Sequence, residues 1–117
     1  MPIDYDDRRF ASVANSAAGD VDAATMFHYR QQGDVVWGTY EGGDIAIGTL
    51  IARVLADGSL DMRYQHVTRE GAIKAGRCAS KPEILTDGRI RLYERWQWTE
   101  GGAEAGESIV EEVEATA

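Results

Sequence analysis

The sequence predicts an all-β protein: one domain over residues 1–117, built as a single eight-stranded antiparallel up-and-down β-barrel. Three observations carry this expectation. Polar clusters containing glycine punctuate the chain, among them Gln32-Gly33-Asp34, Glu41-Gly42-Gly43-Asp44, Asp57-Gly58-Ser59 and Asp87-Gly88-Arg89. Such pairs supply the positive φ of tight hairpin turns. The segments between them, about eight to twelve residues long and rich in Val, Ile, Thr, Tyr and Trp, have the spacing of an all-β domain. Convincing helical periodicity is absent: the stretch from Ser16 to Thr25 is interrupted by Gly19 and Asp20 and reads as a loop or a single turn.

Strands are expected at 8–15, 24–31, 34–41, 44–54, 59–67, 72–80, 89–99 and 107–114, with 1–7 and 115–117 as flexible tails. Short loops between neighbours impose an antiparallel meander. Left open, it would expose two long edges, an aggregation hazard. Closure removes both, and eight strands enclose a space that side chains nearly fill or that holds one small ligand. A flattened sandwich is the rival arrangement.

Alternation assigns faces strand by strand. The inward faces of the first, second and sixth strands stay open, although Tyr29 falls on an inward position with His28 opposed to it, and Gly76, Cys78 and Ser80 share one face. In the third strand Val36, Gly38 and Tyr40 read as inward and Trp37 as outward. The fourth is apolar on both sides, with Ile45, Ile47 and Ile51 on one and Leu50 and Val54 on the other. A strand apolar on both faces is covered on both. With Trp37, this suggests a homodimer patch, or else Ile3 and Tyr5 folding over it. In the fifth strand Leu60, Met62, Tyr64 and His66 point inward. In the seventh, Ile90, Leu92, Glu94, Trp96 and Trp98 do so, opposite Arg91, Tyr93, Arg95 and Gln97. The closing Glu111-Glu112-Val113-Glu114 reads as the solvated end of the last strand.

Composition removes several classes of function. The net charge of -8, from 12 Lys+Arg against 20 Asp+Glu, lacks the basic footprint of a nucleic-acid binder. No run approaches the length of an apolar membrane span, and the start MPIDYDDRRF has no apolar core of a secretory leader, so a cytoplasmic location is expected. A single cysteine, Cys78, makes neither an internal disulfide nor a cysteine zinc site. His28 and His66 show no metal-ligand spacing, and no phosphate-binding glycine loop or nucleophile elbow occurs, so no metal or cofactor is expected.

Glu94 is the sharpest candidate. A carboxyl among Leu92, Trp96 and Trp98 must be paired, hydrogen-bonded or protonated. It is a polar anchor for a ligand or an acid/base group, unless an inward Arg or water at the rim neutralises it. Trp96, Trp98 and Tyr64 offer aromatic walls, and Tyr40 and His66 offer orienting groups, the mixture that small-molecule sites use. The alternative is ordinary barrel filling with each hydroxyl bonded internally. Cys78 has no local base and reads as a small buried thiol.

The series FASVANS, TMFHYRQQG, TYEGGDIAIGTLI, LDMRYQHV, PEILTDGRIRLYERWQW and GESIVEEV resembles a family of small bacterial proteins often labelled N-acetylglutamate synthase. An acetyltransferase of the usual kind needs a mixed α/β fold with a pyrophosphate-binding turn leading into a helix, and no such helix is predicted here. The broader shape resembles calycin and avidin-like barrels, which implies a small apolar or amphipathic ligand held inside. Fold by itself does not fix function. The leading expectation is a small-molecule-binding barrel. An acid/base enzyme of isomerase or cyclase type in the same cavity, or an interaction barrel acting through the outer patch, are the alternatives.

Overall fold

A computed structural model of the chain describes residues 3–16 and 19–113. The strands are β1 (Arg8–Asn15), β2 (Met26–Gln32), β3 (Val35–Gly42), β4 (Ile45–Val54), β5 (Leu60–Thr68), β6 (Ile73–Ile84), β7 (Ile90–Glu100) and β8 (Ala105–Glu112). Each pairs antiparallel with its sequence neighbours, and β1 pairs with β8 to close the barrel. Closure leaves no unpaired edge, which decides against the open sandwich. No helix forms among the described residues.

Two of the turns are near copies of each other. In the β4–β5 turn the Leu55 amide donates to the Ser59 carbonyl, and Asp57 Oδ1 accepts from the Ser59 amide. In the β6–β7 turn Leu85, Arg89 and Asp87 repeat these roles. Gly58 and Gly88 adopt φ of 86° and 90°, which residues with a Cβ rarely enter.

Strand β6 runs to Ile84, beyond the expected end at 80, despite Pro82. Its pairing with β5 stops at Leu60↔Ser80 while its pairing with β7 continues to Ile84↔Ile90. Pro82 therefore lies where one flank asks for no N–H. In β4 the register shifts between Ile45 and Ile47. This bulge separates two residues expected on one face: Ile45 is buried and Ile47 is 59% exposed.

The interior divides into two halves. At the end holding the β2–β3, β4–β5 and β6–β7 turns, Phe10, Val36, Leu60, Ile90, Leu92 and Val110 fill the lumen. Tyr5 closes that end. Expected to be part of a tail, it is fully buried, its hydroxyl donates to the Gly58 carbonyl at 2.7 Å, and its ring lies 6.4 Å from that of Tyr29. Tyr5 thus plugs the barrel instead of covering β4. The expected tail at 115–117 lies outside the described residues. The expectation of a solvated strand end fails at Glu112. Its carboxylate is buried, pairs with Arg8 at 2.8 Å and accepts from the Ile90 amide. Glu111 pairs with Arg91 at 2.9 Å.

Candidate functional site

Toward the opposite end the lumen is hollow. The inward aromatic residues there are seated on glycines of adjacent strands. Tyr40 pairs in register with Gly48, Tyr64 with Gly76, and Trp96 with Gly106. A Cβ at any of these glycines would overlap the facing ring or hydroxyl. The aromatic side chains therefore lie back against the wall instead of filling the centre, a device that lets strand glycines be covered by neighbouring rings. Gly48 and Gly76 are legible in the sequence as glycines inside strands. Gly106 is not, because β8 begins two residues before its expected start at 107.

What is left is a cavity of about 60 Å³. By the usual measure a water needs about 10–15 Å³, so this space takes a few waters or one compact molecule. All six sequence candidates line it: Glu94, Trp96, Trp98, Tyr64, Tyr40 and His66. Tyr29, Phe27, Leu50 and Met62 complete the wall, and Asn15, Asp20 and Val21 border it from the β1–β2 loop side.

Glu94 sits in the middle of β7, half-buried, and lines the cavity. Its two carboxylate oxygens accept from the hydroxyls of Ser80 (3.1 Å) and Ser108 (3.0 Å), its register neighbours on β6 and β8. Among the described residues no arginine pairs with it. Burial pushes its carboxyl above the ordinary glutamate range, and the two hydroxyl bonds offset that shift only in part. Cys78 lies 3.6 Å from the Ser80 hydroxyl, and burial, then Glu94, push its thiol well up. It is a neutral, buried thiol, as expected.

A second polar group closes the mouth. His66, expected to approach Glu94, bonds elsewhere: Nδ1 meets the Tyr40 hydroxyl at 2.9 Å and Nε2 meets Asp20 Oδ2 at 2.9 Å. Both ring nitrogens of His66 are thereby engaged. Lys74 also pairs with Asp20 at 3.1 Å and lies 5.1 Å from the centre of the Trp98 ring. Asn15 ties the loop down, donating to the Val21 carbonyl and accepting from Trp96 Nε1. His28, by contrast, points outward to Asp7.

Sequence reasoning did not single out Asp20, Asn15 or Ser108. In the sequence Asp20 reads only as an interruption of the 16–25 stretch, and Ser108 carries no pattern of its own. Alternation on β8 would have placed Ser108 inward had the inward face of that strand been assigned, because Val110 is fully buried.

On the outer wall Trp37, Ile47 and Ile51 are 41%, 59% and 58% exposed, and Trp37 pairs in register with Ile51. Nothing else in the described chain covers them.

No curated protein matches the chain, and no solved structure matches it. Nothing found supports the synthase label. A family described as avidin-like protein matches residues 3–113, nearly the whole chain and every strand of the closed meander. By that match and that architecture, the chain belongs to the avidin-like family.

Proposed function

We propose that the protein binds a small organic molecule in the hollow half of its barrel. Trp96, Trp98 and Tyr64 form the aromatic walls, Glu94 is the central polar anchor, and the Tyr40–His66 pair shapes the mouth. The observation that carries this reading is the cavity itself, mostly apolar and aromatic with a few placed polar groups. Avidin-like barrels typically bind small molecules such as biotin. The open space here favours something more compact, and a ligand of biotin's size would require the β1–β2 loop to move.

Catalysis by His66 is less favoured, because both of its ring nitrogens are engaged. The exposed Trp37, Ile47 and Ile51 favour a further reading, in which two copies meet through the outer face of β3 and β4.

Native mass spectrometry of the purified protein, followed by titration monitored by tryptophan fluorescence, tests the pocket. A bound molecule whose affinity drops in Trp96→Ala and Glu94→Gln supports it. A high-resolution crystal structure whose lumen is filled by side chains, with no ligand retained or accepted, overturns it.

A further inference from the structure

The pocket proposed above contains a carboxyl group without a countercharge and two hydroxyls without partners among the described residues. Among the described residues no Lys, Arg or His pairs with Glu94, whose only hydrogen bonds are to two neutral serines. Lys74, beside the mouth, is committed to Asp20. Tyr29 on β2 is 1% exposed, yet its hydroxyl has no hydrogen-bond partner among the described residues. The Tyr64 hydroxyl has none either. Both side chains line the cavity, and both lie near enough to Glu94 for its charge to oppose their own ionisation. Tyr29 is buried and lines the cavity, and buried hydroxyls are normally bonded, so its hydroxyl is a donor and acceptor held ready for a guest, with the half-buried Tyr64 beside it.

The geometry points to a guest of one chemical class: we propose a compact organic cation with N–H donors, a guanidinium, amidinium or primary ammonium group. It would seat its charge on the Glu94 carboxylate and its flanks against Tyr29, Tyr64 and Trp96. A cation supplies the charge that Glu94 lacks, in a setting where low polarisability strengthens the pair. The surrounding ring faces attract cations, and the space of about 60 Å³ limits the guest to a few heavy atoms. A neutral amide or urea of the same outline would form the hydrogen bonds without the charge term, and an anion would be repelled. The other ionisable groups facing Glu94 are Tyr29, Tyr40 and Tyr64 from β2, β3 and β5 and Cys78 from β6. Burial holds all four neutral, and at the mouth Asp20 is paired with Lys74 and bonded to His66, so Glu94 is the carboxyl of the chamber that has no cation beside it.

This inference rests on the small-molecule reading, and the experiment separates the two. Methylguanidinium and its neutral near-isostere N-methylurea are titrated by calorimetry, with the Trp96 and Trp98 indole N–H signals followed by NMR. Methylguanidinium is expected to bind about tenfold or more tighter than N-methylurea, and to tighten as pH rises and Glu94 ionises. Glu94→Gln should abolish that preference, and Tyr29→Phe, which keeps the shape, should weaken methylguanidinium by about three- to tenfold. Equal or tighter binding of N-methylurea to the wild type overturns the cation class while leaving a ligand pocket. The same holds if benzene shifts the indole signals and methylguanidinium does not. If none of the three probes enters, both readings fail.

Discussion

Glu94→Gln offers the most direct measurement of what a lone carboxyl does inside this barrel. The amide keeps the length and shape of the side chain, and it preserves both contacts: its oxygen accepts from one serine, and its NH₂ donates to the other, whose hydroxyl rotates to receive it. Only the ionisation is lost. Burial raises the Glu94 pKa in the folded state above its ordinary value of 4.5, so the native protein binds this proton more tightly than the unfolded chain. Stability contributed by the protonated group is therefore complete below about pH 4.5. It declines as pH rises toward the raised folded value and is flat above it. Each unit of displacement is worth about 1.4 kcal/mol. Leaving a buried polar group imperfectly satisfied generally costs about 1–3 kcal/mol, which is the size of effect to look for at alkaline pH.

The Gln variant should match the wild type near pH 4 and exceed it by roughly that amount near pH 8, about 4 °C in melting temperature for each kcal/mol. Urea unfolding of both proteins at several pH values, followed by tryptophan fluorescence, measures the difference. A Gln variant that is less stable at alkaline pH, or a difference that does not change with pH, would refute the reasoning. The first result would mean that Glu94 is ionised and paired in the folded state, the second that folding leaves its proton affinity unchanged.

Other substitutions probe the remaining parts of the site. Gly76→Ala places a Cβ against the Tyr64 hydroxyl and the Gln97 carbonyl, so it should cost about 1–3 kcal/mol and drive the Tyr64 ring toward the cavity centre. Thermal melts and a crystal structure check both effects. His66→Ala removes the partner of the buried Tyr40 hydroxyl and one of the two partners of Asp20, for a loss of about 2–4 kcal/mol. It should also speed amide exchange over residues 19–25, and unchanged exchange there would show that Asp20 does not hold the loop. Trp37→Glu combined with Ile47→Glu should convert a wild-type dimer to monomer in sedimentation velocity. A monomeric wild type would remove the self-interface.

Strand number, strand order and the inward faces of the third, fifth and seventh strands are readable from the sequence, because alternation is a local property of the backbone. Leu60, Met62, Tyr64 and His66 face inward for the same reason that Ile90, Leu92, Glu94, Trp96 and Trp98 do: successive side chains on a strand point to opposite faces. Turn glycines, and the strand glycines Gly48 and Gly76, are equally local, whereas Gly106 is hidden by the uncertain start of β8. Where a bulge interrupts alternation, as between Ile45 and Ile47, local reading fails, because the extra residue is set by the partner strands.

The partners of those lining residues are decided by ring closure. Glu94 meets Ser108 because β7 and β8 pair in one register, and His66 meets Asp20 because the β1–β2 loop folds over a mouth that exists only once β1 has joined β8. Tyr5 fills one end because the N-terminal segment turns under the barrel and finds the Gly58 carbonyl. The sequence by itself determined a closed, glycine-punctuated barrel with Glu94 and two tryptophans inside. Only the tertiary structure decided which half is plugged, which is hollow, and that the hollow half surrounds a carboxyl with no cation beside it. Those outcomes depend on registers between strands far apart in the chain, which no local pattern encodes.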